Sequence, residues 1–259
     1  MMELYQHFRK EEEAFIDQIL SWKEQVERTY QPKLTNFLDP REQQLVTMLI
    51  STKDSDVNLL FNGGHKFAER KRAVIAPLYE DIQAVDTGLT LLEGHFPNKF
   101  IHLSHRDVMG ACLSLGLKRQ ILGDIVVDNG LVQLVVASEI APYVKSHLTK
   151  IKHASVKLEE RPLNEWNIRE PIWLEQETTV SSLRLDVVVK EAYRLSRKEA
   201  TEYIKKLLVK VNYKLVDDVS FTLQAGDVLS LRGKGRSKLV HVRGRSKKDK
   251  QKITLARLK

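Results

Sequence analysis

Apolar positions near the start of the chain recur at helical steps. Leu4, Phe8, Phe15, Ile19, Trp22 and Val26 share one face at a period of 3.6 residues. Asp39-Pro40-Arg41-Glu42 announces a second helix. Asp39 can cap it, Pro40 suits its first turn, and Glu42 stands three residues past the cap. Leu45, Met48 and Leu49 are expected to face the core. Val57 to Phe61 reads as a strand running into a hairpin or loop at Gly63-Gly64. The run Glu69-Arg70-Lys71-Arg72 reads as a solvated face in preference to a phosphate contact.

The pattern then becomes regular. Residues around Ile82 to Leu92 are strand-like. Ser104-His105-Arg106-Asp107 forms a capping box that opens a helix ending near Gly116. Ile121 to Val127 is a short apolar strand, Asn129-Gly130 a hairpin turn, and Leu131 to Ala137 the returning strand. A helix from Ser138 to about Leu148 and a strand near Ala154 to Leu158 complete the series. The order β-α-β-β-α-β predicts a ferredoxin-like domain. The aromatic strand motif by which the common RNA-recognition domain stacks bases is absent. Residues 161–182, with Pro162 and Pro171, read as a connector carrying a strand near Trp173.

From Leu183 the elements shorten. Arg184-Leu185-Asp186 opens a helix through about Tyr193, and Ser196 with Glu199 forms the capping box of another. That second helix displays Arg197, Lys198, Lys205 and Lys206, with Ala200, Ile204, Leu207 and Leu208 on its apolar side. Strands follow at Val209–Val211 and Lys214–Val216 around an Asn212-Tyr213 turn, and at Val228–Arg232. Leu239–Val242 and Ile253–Leu255 continue the sheet as two more strands. Between and beside them Arg232, Lys234, Arg236, Lys238, Arg243, Arg245, Lys247, Lys248, Lys250 and Lys252 stand against one acid, Asp249, as a basic hairpin suited to clamping phosphates.

Charge sharpens this picture. Residues 183–259 hold 21 basic and 8 acidic side chains, a net of +13, whereas the first 182 residues hold 21 and 26, a net of −5. A basic C-terminal third on an acidic body points to a polyanionic partner. No uninterrupted apolar stretch reaches membrane-spanning length, and the N-terminus lacks the basic flank and apolar centre of a signal peptide. Cys112 is the only cysteine, which excludes an internal disulfide and a cysteine-based metal cluster. A cytoplasmic protein is expected, with no cofactor, no metal and no membrane partner.

Two short helices and a small strand layer, opened by Arg184-Leu185-Asp186 and closed near Gly226-Asp227-Val228, resemble the RNA-binding domain of ribosomal small-subunit protein four, the alpha-L motif. Tyr213 departs from the family, where many members carry Gly after Asn. The resemblance implies RNA contact by Ser196, Arg197, Lys198, Lys205, Lys206, Lys210 and Lys214, and the basic run adds Arg232, Lys234, Arg236 and Lys238. Arg184 and Asp186 read instead as a structural pair. The upstream motifs His105-Arg106-Asp107, Leu117-Lys118-Arg119, Gly123-Asp124-Ile125 and Ala137 to Tyr143 resemble the YlmH family of bacterial ribosome-associated proteins. That resemblance implies association with rRNA on the large ribosomal subunit, with tRNA as a further partner, a part in handling stalled peptidyl-tRNA, and genes near those for cell division. A monomer off the ribosome is expected.

The fold class expected is α+β: an α-rich domain at 1–75, a ferredoxin-like domain at 76–160, the connector at 161–182, and the alpha-L domain with its basic tail at 183–259. An RNA-modifying enzyme of the pseudouridine-synthase kind, which uses Asp in an Arg-Leu-Asp context, is one alternative. It is disfavoured because only about 75 residues follow Asp186. His105-Arg106-Asp107 resembles a kinase catalytic loop, but Cys112 stands where that loop needs Asn. A protein–protein adaptor linked to cell division is the other alternative. No catalytic residue is assigned.

Overall fold

The computed structural model describes residues 8, 12–51, 56–99 and 101–259. The chain forms two compact units, Met1–Arg169 and Glu170–Lys259. Among the described residues no helix is long and apolar enough to cross a membrane.

The first unit begins with α1 (Glu13–Thr29), which buries Ile16, Ile19 and Val26. Leu4 lies outside the described residues. β1 (Lys33–Leu38) follows, then α2 (Pro40–Ile50). The Asp39 carboxylate accepts from the amides of Arg41 and Glu42, and Glu42 accepts from the Asp39 amide at 2.7 Å, so the capping box forms as expected. α2 buries Leu45, Val46, Leu49 and Ile50, while Met48 is 58% exposed. The expectation for Met48 is therefore corrected. At 100° per residue, position 48 lies well off the arc spanned by 45, 46, 49 and 50. β2 (Val57–Asn62) pairs antiparallel with β3 (Lys71–Pro77), whose other side pairs with β1. The N-terminal region thus carries a three-stranded sheet beside its two helices.

The solvated reading of residues 69–72 is also corrected. Arg70 and Arg72 are buried. Arg72 donates to the carbonyls of Thr35 at 2.8 Å and Gly88 at 3.0 Å and pairs with Glu139 at 3.3 Å. Arg70 donates to the Phe37 carbonyl at 2.7 Å. Burying a guanidinium is costly unless its donors are satisfied. Carbonyls and Glu139 take the donors of Arg72, and the Phe37 carbonyl takes one donor of Arg70, whose buried Nε has no partner among the described residues. The two arginines stitch β1 to the strands that follow.

Those strands are β4 (Leu89–His95), β5 (Leu122–Asp128) and β6 (Leu131–Ala137), with α3 (His105–Ser114) between the first two and α4 (Ala141–His147) after the third. Asn129 and Gly130 both take positive φ, at 46° and 86°, as the tight β5–β6 hairpin turn requires. A two-stranded ribbon, β7 (Lys150–Ile151) with β8 (Ala154–Ser155), comes next. The fourth strand of the main sheet is β9 (Glu159–Arg161), just past the segment expected to supply it. The sheet order β5-β6-β4-β9, all antiparallel, is the ferredoxin-like arrangement. α3 and α4 cover one face through Val108, Cys112, Ala141 and Val144.

The other face is covered as well. Phe37 of β1, Ala68 and Trp166 pack on Leu91, Val135 and Ala137. A Cβ built on Gly123 would lie 2.9 Å from the Phe37 ring and 3.1 Å from the Val135 carbonyl.

The second unit is a six-stranded antiparallel sheet with two helices. It starts with β10 (Trp173–Val180), so residues 161–182, read as a connector, divide between the two units: Arg161 ends β9 and β10 belongs to the C-terminal sheet. α5 (Leu185–Tyr193), α6 (Arg197–Lys205), β11 (Val209–Val211), β12 (Lys214–Leu215), β13 (Val228–Leu231), β14 (Gly235–Arg245) and β15 (Gln251–Leu258) follow in the sheet order β10-β15-β14-β13-β11-β12. Leu207 is exposed rather than on the apolar side of α6. It lies past the helix end at a φ of 55°, which swings its side chain outward.

Replacing Gly123 by Ala is expected to destabilise the first unit by about 1–3 kcal/mol, because the added methyl has no room beneath Phe37. Urea unfolding of the variant against the parent measures it, and an unchanged midpoint would show that this face is loosely covered.

Candidate nucleic-acid interface

The C-terminal module is organised around one buried acid. Asp186 sits in the first turn of α5 and is buried. Its carboxylate is held by Arg184 at 3.0 Å and by Arg197, in the first turn of α6, at 3.3 Å. Burial pushes the acid's pKa up, but the two guanidiniums outweigh burial and hold it below the ordinary carboxylate value. The Arg184–Asp186 pair expected from the sequence is present. The second partner, Arg197, was expected only as a phosphate contact. Asp186 thus ties the N-termini of two helices together.

α6 is capped by Ser196. Its hydroxyl accepts from the Glu199 amide at 3.2 Å, and its own amide donates to Glu199 at 2.8 Å. First-turn amides have no intrahelical acceptor, and with the helix dipole they favour an anion. Arg197, Lys198, Lys205 and Lys206 are exposed along this helix. Lys198 and Lys205, seven residues apart, fall within about 20° of each other around the axis. Lys206 pairs with Glu202 at 3.6 Å. The β13–β14 turn adds to this side. The Arg232 amide donates to the Leu208 carbonyl at 3.0 Å, just past α6. Glu199 is held below its usual pKa first by Ser196 and then by the charge of Lys234, which places that lysine near the helix start.

The remaining expected residues divide from this group. Val209, Val211, Leu229, Leu231 and Leu239 pack against α5 and α6. Alternation sends their neighbours Lys210, Arg236 and Lys238 to the opposite sheet face. Register aligns Lys210 with Ser230 and Ser230 with Arg236 in one row across three strands, with Lys238 one step along. Lys214 is exposed on the edge strand β12 opposite Val211. The eleven residues singled out in the sequence therefore occupy both faces of one small sheet rather than one surface. Strand periodicity alone could have foretold the split, since 209, 210 and 211 alternate apolar, basic, apolar. In the tail, Arg243 pairs with Glu177 of β10 and Arg245 with Asp249, both at 2.7 Å. Lys247, Lys248 and Lys250 are exposed at the tip.

The unusual Tyr213 has a geometric account. Asn212 and Tyr213 take φ of 47° and 69°, so the turn keeps the form that a glycine would relax. Asn212 is buried and bonded to Asp227 at 2.7 Å and to the Val228 amide at 2.9 Å. The Tyr213 ring lies 5.7 Å from the Arg236 guanidinium in a cation–π contact. The tyrosine thus steadies one cation of the outer row, at the cost of a left-handed backbone.

Residues 183–229 match the model of the S4 domain, residues 11–80 that described as "YlmH, N-terminal", and residues 83–165 the "Putative RNA-binding domain in YlmH". Over the whole length of both chains the sequence is 44% identical to Ribosome-associated protein quality control protein P2 of Bacillus subtilis (strain 168). The chain belongs to the YlmH family. A solved structure described as Cell division protein ylmH from Streptococcus pneumoniae is similar at 32% identity and a TM-score of 0.55, covering 64% of this chain and 99% of that one. In this YlmH-family chain the middle domain has the topology of RNA-recognition domains, but the sheet face on which such domains stack bases is closed by Phe37, Ala68 and Trp166. His105-Arg106-Asp107 is a helix cap. Asp107 accepts from the Ser104 amide at 2.8 Å and pairs with Lys152 at 2.8 Å, and Lys152 and Ser104 bring its pKa down to about 2.

Two outcomes follow. Asp186→Asn is expected to cost about 1–3 kcal/mol at pH 7, the penalty for weakening a buried hydrogen-bonded charge. Because the folded-state pKa is depressed, that stability is present above the unfolded value of about 3.9 and is lost as pH falls below it. Denaturation of both proteins at pH 7 and pH 3 should show the difference shrinking in acid. Tyr213→Gly should raise stability by up to about 1 kcal/mol through relief of the left-handed tyrosine. It should also weaken RNA binding by freeing Arg236. Loss of stability in Tyr213→Gly would contradict this account of the turn.

Proposed function

We infer that this protein is a non-enzymatic, ribosome-associated RNA-binding protein that engages rRNA on the large subunit, with tRNA as a further partner, and acts on stalled peptidyl-tRNA complexes in the cytoplasm as a monomer off the ribosome. The observation that carries the reading is the capped, cationic α6 of an S4 domain, held in place by a buried acid. Support for the ribosomal setting comes from the full-length relative, whose description is ribosome-associated protein quality control. The cell-division description of the similar structure is said of that protein. Against the enzyme alternative stands the place of Asp186 inside the small S4 domain, as a buried tie between two helices.

In this reading Ser196, Arg197, Lys198, Lys205, Lys206, Arg232 and Lys234 meet RNA on the helix side, and Lys210, Lys214, Arg236 and Lys238 on the sheet and its edge. Arg197 serves two roles, so its removal would disturb Asp186 as well as RNA. Lys198 and Lys205 give the cleaner test. Their double replacement by Ala is expected to leave circular dichroism unchanged and to weaken binding to large ribosomal subunits. The slope of log affinity against log salt should fall by roughly 1.4 to 1.8, as two lost phosphate contacts imply. A folded variant with unchanged affinity and slope would remove α6 from the interface.

A further inference from the structure

With its sheet face closed, the middle domain has to meet RNA elsewhere if it meets RNA at all. The opposite side of the domain carries an arrangement suited to the task. Tyr143 and His147 stand one helical turn apart on α4, their rings stacked at 4.2 Å with planes 23° apart. Tyr143 is 43% exposed and His147 is exposed too, so the stack is not core packing. Both rings are pinned. The Tyr143 hydroxyl donates to the Leu115 carbonyl at 3.3 Å, and His147 Nδ1 lies 2.9 Å from the Tyr143 carbonyl. The helix is held beneath them by buried Ala141, Val144 and Leu148.

The segment that carries the stack is basic in sequence, and acids reach it only from neighbouring segments. Residues 141–158 contain no Asp or Glu, but four lysines, Lys145, Lys150, Lys152 and Lys157, and two histidines. This stretch lies within a part of the chain, residues 1–182, whose net charge is −5. Lys145 is tied to Glu160, Lys152 to Asp107 and Lys157 to Glu159. Lys150 is exposed three residues past His147 and has no carboxylate partner among the described residues. A rigid, exposed aromatic surface with an exposed cation three residues along an acid-free segment matches the chemistry of a single-stranded nucleic acid. A base has a π-face that stacks on an aromatic ring, and its phosphate seeks a positive charge.

We propose that the Tyr143–His147 stack is a base-stacking site for an unpaired RNA nucleotide, with Lys150 meeting the adjoining phosphate. It is a second RNA contact, on the helix side of the ferredoxin-like domain. The inference rests on the RNA-binding reading above and adds a contact in a different unit of the chain from α6. The ring of Tyr143 supplies the binding surface and its hydroxyl only orients it, so Tyr143→Phe should bind nearly as well as the parent.

The full-length protein, bound to bulk rRNA and tRNA, is irradiated with ultraviolet light and its peptides are mapped for nucleotide adducts. Adducts are expected within residues 141–150 as well as in the C-terminal module. Tyr143→Ala should abolish the first set, spare the second and lower affinity about fivefold or more, the loss of one base stack. Tyr143→Phe should retain both sets. Adducts confined to the C-terminal module would overturn the proposal and leave the RNA-binding reading standing. No adducts anywhere, with no retained RNA, would overturn both. Crosslinks from residues 141–150 of the ribosome-bound protein to another protein in place of nucleotide would assign this surface to a protein partner and overturn the proposal. An affinity of Tyr143→Phe reduced as far as that of Tyr143→Ala would do the same, because the hydroxyl and not the ring would then matter.

Discussion

The Asp186 carboxylate is the constraint on which the C-terminal module depends. An isolated buried carboxylate is prohibitively costly, so its two guanidinium partners have to stay where they are. One partner precedes α5 and the other opens α6, so a single acid fixes the angle at which the second helix leaves the first. The orientation of the cationic helix is therefore set by an acid that does not itself attract RNA. Arg197 sits at the crossing of the two demands. It is two-thirds exposed, yet one of its donors is committed inward. A guanidinium has five donors in a planar fork, so it can hold an acid on one edge and offer the other outward. Lysine could not divide itself in this way.

Much of this fold is legible in the sequence where local chemistry decides the backbone. The Asp39, Ser104 and Ser196 caps and the Asn129-Gly130 turn are each specified within four residues, and each forms as read. The missed strands β1 and β3 are specified at long range. β3 opens on Lys71-Arg72, a pair that reads as surface, and becomes interior only because the Thr35 and Gly88 carbonyls receive Arg72. No window around residue 72 contains either acceptor. Met48 and Leu207 failed for a related reason. Apolar character does not say on which side of a stripe a residue falls, and the stripe is set by what packs against it. At the interface, the residue types were readable but their sorting to two faces depended on strand register, which the eleven positions considered as a charge run do not reveal.

The middle domain shows how one topology can change its use. A ferredoxin-like sheet has one face committed to its helices and one face free. Here β1 lays Phe37 over Gly123, and the segment after β9 lays Trp166 over Leu91, Val135 and Ala137. The free face has become a core that joins the N-terminal sheet to the central one. The gain is rigidity in a unit whose N-terminal sheet has only three strands. The cost is the usual platform for bases, and the exposed Tyr143–His147 pair stands on the helix side.

Charge then decides how such a protein meets a polyanion. The first 182 residues carry −5, so that part supplies no net attraction for phosphate. The C-terminal 77 residues carry +13 and supply long-range attraction that is independent of RNA sequence. Attraction of that kind brings the protein to any RNA but does not choose a register. Choice needs short-range contacts that are rigid before binding: a helix start fixed by a buried acid, and an arginine steadied by a turn tyrosine. The acid-free stretch from 141 to 158 lies in the longest interval of the acidic part without a carboxylate on its own segment, and two aromatic rings stand exposed there. On the reading proposed above, a stacking contact there supplies the short-range choice that long-range charge cannot.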